Sequence, residues 1–94
     1  NLREGILVTN PLQTGNKHLI VNGQCNEDGY IYIELLTETG EIINGFSKND
    51  SKGFQGNSIE HEYRWINPNN ETLPDWVILR IWMKSSKLYT LKWI

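Results

Sequence analysis

The stretch TGEIINGFSKNDSKGFQGNS, residues 39–58, decides how this chain is divided. It places glycines among small polar residues, a composition typical of turns and loops. Before it lie residues 30–36 (YIYIELL) and after it residues 59–66 (IEHEYRWI), both with the alternation of a strand. So long a loop between strands is usually functional, disordered or held by its own polar contacts. The centre of the chain therefore predicts two strands joined by a long loop.

Similar short apolar or alternating runs continue outward in both directions. Turn signals separate them at residues 26–29, 38–40, 67–70 and 85–86. The further predicted strands cover residues 5–9, 17–24, 41–44, 75–84 and 87–94. About seven or eight short strands in one small domain predict an all-β fold, an antiparallel β-sandwich of jelly-roll type over residues 1–94.

Alternation assigns the faces of these strands. The aliphatic faces of the third and sixth strands should form the core, and these are Ile31, Ile33, Leu35, Val77, Leu79, Ile81 and Met83. The aromatic residues expected to join them are Tyr63, Trp65, Tyr89 and Trp93. Tyr30, Tyr32, Trp76 and Trp82 should then point outward, beside charged residues.

Composition excludes several classes of protein. Net charge is -2, with no basic block of the kind that binds nucleic acid. No apolar run approaches the ~20 residues that span a bilayer, which predicts no membrane partner. Cys25 is the only cysteine, so an internal disulfide is impossible, and it should be a small, partly buried apolar residue. The chain begins without Met, which favours a fragment of a longer protein.

The order of several segments is similar to a known family. The matching segments are residues 9–12 (TNPL), 29–35 (GYIYIEL), 40–47 (GEIINGFS), 50–51 (DS), 56–59 (GNSI), 63–65 (YRW), 77–81 (VILRI), 83–84 (MK) and 87–91 (KLYTL). They resemble the C-terminal β-sandwich accessory domain of bacterial β-propeller proteins related to glycoside hydrolases and sialidases. Asn57 departs from the Asp expected there, and Trp76 and Trp82 are bulkier than the pattern.

The resemblance implies a non-catalytic domain that packs on a catalytic propeller of the same chain and assists glycan binding. It also implies an extracellular, periplasmic or cell-surface location. The residues themselves leave two alternatives, an independent carbohydrate-binding module and a structural domain without a ligand.

No catalytic site is predicted in this chain. Glycosidic hydrolysis needs two carboxyl groups across a cleft, one kept protonated. Glu60 and Glu62 share a face with Arg64, which is typical of a solvated strand. His18 and His61 lack a nucleophile motif such as G-x-S-x-G.

No metal and no cofactor are predicted either. Asn49, Asp50, Ser51 and Asn57 carry oxygen ligands of the kind that Ca²⁺ prefers. The favoured interpretation is that Asp50 and Ser51 accept backbone hydrogen bonds in turns. Phe46, between Gly45 and Ser47, is predicted to close one end of the core rather than to contact a substrate.

Carbohydrate binding is the sharper hypothesis. Flat aromatic rings stack on the apolar faces of sugars, and neighbouring polar groups bind the hydroxyls. The candidate residues are Trp76, Trp82, Tyr30, Tyr32 and Arg80. Trp76 and Trp82 stand about 20 Å apart along one strand, too far to hold a single sugar ring. The alternative is that these side chains pack against a neighbouring domain.

Overall fold

A computed structural model describes residues 4–69 and 73–94 of the chain. The strands in that part are β1 (Gly5–Val8), β2 (Leu12–Gln13), β3 (Leu19–Leu36), β4 (Asn57–Tyr63) and β5 (Trp76–Trp93). One 3-10 turn, Lys48–Asp50, interrupts the loop between β3 and β4. The predicted all-β class is confirmed. No helix within the described ranges has the length and apolar character to cross a bilayer.

All the strand pairs described are antiparallel. The strand order is β1-β5-β3-β4, with β2 pairing separately with β5. The long strands β3 and β5 form the centre of the sheet, from Leu19 opposite Trp93 to Leu36 opposite Ile78. β4 continues the sheet on the far side of β3, where Leu19 also faces Tyr63.

The central pair is bent rather than straight. A straight strand of 18 residues would measure about 60 Å at the usual rise. The longest dimension of the molecule is 35 Å. Register shifts occur between Asn22 and Gly23 and, more extensively, between Cys25 and Tyr30, and we infer that the pair bends at the larger one because a bulge bends its strand. Because Leu19 and Leu35 belong to the same buried cluster, both halves of the pair enclose one core.

Two predicted turns lie inside these long strands, so their prediction as turns is wrong. Residues 26–29 of β3 face the single residue Ser85 of β5 and form an exposed bulge that ends at buried Gly29. Ser85 takes a positive φ of 45°. Turn-forming residues here bend a strand pair instead of ending the strands, because a bulge also needs permissive backbone.

The segments around the long loop also differ from prediction. Residues 41–44 do not form a strand, and only Ile42 pairs, with Leu36. The turn at residues 38–40 is confirmed, with Gly40 at φ 91°. β4 ends at Tyr63, two residues before an isolated pairing of Trp65 with Ser51. The predicted loop at 67–70 lies partly outside the described residues.

The core combines strand residues with residues from the long loop. The buried aliphatic side chains in the described part of the chain are Leu19, Val21, Ile31, Ile33, Leu35, Leu36, Ile43, Leu73, Val77, Leu79 and Ile81. Phe46 and Phe54 are buried as well, so Phe46 closes the core as predicted. Cys25 is buried, its thiol donates to the carbonyl of Phe54 at 3.6 Å, and burial raises its pKa.

One aromatic core prediction is wrong. Tyr63 and Trp65 are buried, and Trp93 packs against the core. Tyr89, in contrast, is 56% exposed. The pairing of β5 with β3 passes from Thr90 directly to Leu88 at a register shift, so Tyr89 is displaced from the inward alternation.

Candidate functional site

Four of the five candidate residues lie together on the outward face of the central pair. Tyr32 of β3 stands opposite Trp82 of β5, and Tyr30 precedes it on the same side of β3. Arg80 lies next to Trp82 on that side, opposite Glu34. The rings of Tyr30 and Tyr32 have centroids 5.0 Å apart. Tyr30, Tyr32, Arg80 and Trp82 are called the aromatic face below.

Trp76 is not part of the aromatic face. It stands at the beginning of β5, opposite Gln13 of the short strand β2. Its side chain is 44% exposed. It lies six positions before Trp82, a distance of about 20 Å along a strand. The two tryptophans therefore cannot hold one ligand ring between them.

A buried carboxylate anchors the long loop to the aromatic face. Glu34 is almost fully buried, and its Oε1 accepts a hydrogen bond from Arg80 Nη1 at 3.1 Å. Its Oε2 accepts from the backbone N–H of Lys48 at 3.0 Å. Both oxygens are satisfied, as a buried carboxylate requires. The 3-10 turn that starts at Lys48 is therefore fixed over this side of the sheet.

The side chain of Lys48 covers part of the aromatic face. Its Nζ lies 4.7 Å from the ring centroid of Trp82 and 6.0 Å from that of Tyr32, within the range of cation–π contact. It also lies 3.7 Å from Glu4, which accepts a 2.5 Å hydrogen bond from the hydroxyl of Tyr30. That hydrogen bond raises the pKa of Tyr30. The ring of Trp82 is therefore contacted from within the chain.

The loop also closes on Tyr32 from its other end. Gly53 has a positive φ of 75°, and a Cβ atom there would lie 2.7 Å from Cε1 of Tyr32. A residue with a side chain would push the ring aside. Tyr32 is consequently only half-exposed.

Polar contacts within the loop hold it in place. The hydroxyl of Ser47 donates to Asp50 Oδ2 at 2.8 Å and accepts from the backbone N–H of Asp50. The hydroxyl of Ser51 accepts from the N–H of Gly53 at 3.1 Å. Ser51 therefore accepts a backbone hydrogen bond as predicted, whereas the Asp50 carboxylate accepts from the hydroxyl of Ser47 instead of from a backbone N–H. Within the described ranges, no three His, Cys, Asp or Glu side chains are grouped to hold a metal ion.

The structure adds exposed apolar residues that sequence analysis did not single out. They belong to β1, where Ile6, Leu7 and Val8 are 63%, 50% and 55% exposed. The register places Ile6 opposite Trp82 and Val8 opposite Arg80, so β1 borders the aromatic face. The sequence run GILV at residues 5–8 could have indicated this surface. A strand without polar alternation has apolar side chains on both faces, and at a sheet edge these are exposed unless another surface covers them.

Glu62 on β4 lies between two basic side chains. Glu62 Oε2 lies 2.8 Å from His18 Nδ1, and Glu62 Oε1 lies 3.2 Å from Arg64. The hydrogen bond with His18 lowers the pKa of Glu62, with a smaller contribution from the charge of Arg64. A general acid needs the opposite shift. Burial lowers the pKa of His61, and the Arg64 charge adds to this.

The chain was compared with protein families, curated proteins and solved structures. No family model, no curated protein and no solved structure matches the chain.

Proposed function

We propose that this chain is a non-catalytic accessory domain that packs against another domain of the same polypeptide through β1. The observation that carries the proposal is the exposure of Ile6, Leu7 and Val8 at an edge of the sheet. Contiguous exposed apolar residues mark interaction surfaces, and an open strand edge offers backbone groups for pairing. Trp76, at the start of the neighbouring strand β5, is exposed as well.

We infer that the two halves of the bent β3–β5 pair serve as the two layers of a jelly-roll-like sandwich. The support is that residues from both halves share one buried cluster. A rigid two-layer body of this kind suits a domain whose role is to brace a neighbour.

The resemblance described above supplies the nature of that neighbour. We propose a catalytic propeller of a bacterial, secreted glycoside-hydrolase-like protein, with this chain helping to hold the glycan. An independent carbohydrate-binding module is the second candidate. The exposed indole of Trp76 favours it, because a sugar ring can stack on an accessible tryptophan.

The first test concerns β1. The isolated chain should associate with itself at high concentration through β1, because no neighbour covers it there. Ile6→Lys should keep the chain monomeric in sedimentation equilibrium, because a charge at a strand edge opposes pairing. Ile59→Lys is the matched control on the other edge strand, β4, and should associate like the unaltered chain.

A glycan array run with Trp76→Ala and Trp82→Ala separates the alternatives. We expect no glycan binding by the isolated chain. A monomeric chain whose glycan binding is lost in Trp76→Ala would contradict the docking role and support a carbohydrate-binding module. A monomeric chain that binds no glycan would support a structural domain without a ligand.

A further inference from the structure

A pocket lies apart from both β1 and the aromatic face. It forms where β3 begins and β4 and β5 end, and its volume is about 310 Å³. Residues from the loops on either side of β4 complete its wall, among them Lys52 and Leu73. That volume is at the small end of the range for ligand pockets, enough for a molecule with one ring.

Aromatic side chains give the pocket an apolar wall. Phe46, Tyr63 and Trp65 line it and pack edge to face, with centroids 5.2 Å apart for Phe46–Trp65 and 4.8 Å for Tyr63–Trp65. Trp65 Nε1 donates to the carbonyl of Ile33 at 3.1 Å, and the hydroxyl of Tyr63 accepts from the N–H of Ile33 at 2.9 Å. These bonds fix two of the rings, so this wall is formed in advance of any ligand.

Cationic side chains dominate the polar part of the wall. Among the described lining residues, Lys17, Lys52 and Arg64 carry positive charge, and Glu62 is the only carboxylate. Both oxygens of Glu62 are already engaged, by His18 and by Arg64. The chain as a whole has a net charge of -2, so this excess of positive charge is local. A cleft lined by one sign of charge concentrates ligands of the other.

Trp93 supplies a second indication that the pocket binds a ligand. Its indole lines the pocket, and its Nε1 is enclosed without a hydrogen-bond partner among the described residues. A buried N–H without an acceptor is unfavourable, and such groups are rare in folded proteins. A small turn of this ring toward the cavity would let a ligand oxygen supply the missing acceptor.

We propose that this pocket binds a small organic carboxylate that carries one flat ring. The ring would pack against the half-buried indole of Trp93 and the small accessible part of Trp65, and the carboxylate would lie toward Lys52 and Arg64. Charge-assisted hydrogen bonds favour a carboxylate over a neutral group at that position. The apolar wall favours a ring over a bare inorganic anion. The proposal is independent of the docking role of β1.

The test is a titration of the 94-residue chain with benzoate. Two-dimensional NMR would follow the indole N–H signals of Trp65 and Trp93, with Trp76 and Trp82 as internal references. We expect saturable shifts at Trp65 and Trp93 at millimolar benzoate. Benzamide, which has the same ring and no charge, should bind roughly fivefold more weakly or worse. Acetate, which has the charge and no ring, should also be weaker.

Two lysine variants test whether Lys52 attracts the carboxylate of benzoate. Lys52→Gln should weaken benzoate binding roughly fivefold. Lys87→Gln removes a lysine from β5 that faces Gln24, outside the pocket, and should bind benzoate as the unaltered chain does. The NMR spectra of both variants confirm that each is folded. Absence of saturable shifts, equal binding of benzamide, or equal behaviour of the two variants would overturn the proposal.

Discussion

Ile33 in the middle of β3 obtains its hydrogen bonds from two side chains. Its N–H donates to the hydroxyl of Tyr63 and its carbonyl accepts from Trp65 Nε1. The long loop pairs with β3 on either side of Ile33: Phe46 bonds with Leu35, and Phe54 bonds with Ile31. Between these two pairings the loop backbone does not reach Ile33. Since a buried backbone group without a partner is costly, Tyr63 and Trp65 replace a missing strand.

Tyr63→Phe tests this replacement. The ring remains and the hydroxyl is lost, so the N–H of Ile33 stays buried without an acceptor. We expect the free energy of unfolding to fall by about 1–3 kcal/mol. Urea denaturation followed by circular dichroism would measure the change.

Tyr89→Phe is the matched control. Tyr89 is largely exposed, and its hydroxyl donates only to the side chain of Gln24. Its removal should change stability by less than about 0.5 kcal/mol. Equal effects of the two substitutions would contradict the role given to Tyr63.

The bulge at residues 26–29 is the main interruption in the pairing of β3 with β5. It puts four residues of β3 against Ser85 of β5, and a bulge of this kind bends its strand. Gly29 stands at its end, where a Cβ atom would lie 2.3 Å from the carbonyl oxygen of Ser85 and 2.8 Å from that of Lys84. The strands can approach this closely only because Gly29 has no side chain.

Gly29→Ala should therefore be strongly destabilising. The added methyl group meets backbone atoms that cannot rotate away, so the two strands must separate at the bend. We expect a loss of about 2–3 kcal/mol, at the upper end for overpacking. The midpoint of thermal unfolding would show it.

Gly5→Ala provides the comparison for that substitution. Gly5 lies on β1 without a positive φ, and its nearest contact for a Cβ atom is at 4.0 Å. Its replacement should leave stability within about 0.5 kcal/mol of the unaltered chain. A Gly29→Ala variant that matched it would show that the strands can move apart at little cost.

These elements show where local sequence is informative. Alternation identified the buried faces of both long strands, because Ile31, Ile33, Val77 and Leu79 repeat with the period of a strand. It failed at residues 26–29 and 85–86, because the same residues favour a turn and a bulge. The choice between the two depends on pairing between distant segments, which local sequence does not contain.

At the scale of the whole molecule, one core joins segments far apart in sequence. β3 and β5 pair residues such as Leu19 and Trp93, and the loop adds Phe46 and Phe54. The sequence placed Tyr30, Tyr32, Trp76 and Trp82 on outward faces. It did not predict that Lys48 would cover Trp82, because that contact depends on where Glu34 fixes the loop.

A single core predicts cooperative unfolding. In urea, tryptophan fluorescence and far-ultraviolet circular dichroism should give the same midpoint, as expected of a small two-state domain. The free energy of unfolding should be on the order of 5–14 kcal/mol. Two separate transitions would mean that the halves of the bent pair fold independently, against the common core. Tyr89→Phe is the control, and its fluorescence and circular dichroism curves should also give one common midpoint in urea.

The thiol of Cys25 can serve as a chemical probe of local opening of the sheet. It is buried against Phe54, beside the bulge, and its raised pKa keeps it in the unreactive protonated form. A thiol reagent can therefore reach it only in molecules whose sheet has opened at the bend. Because Cys25 is the only cysteine, a labelling rate that no longer rises with reagent concentration would equal the rate at which the sheet opens around it.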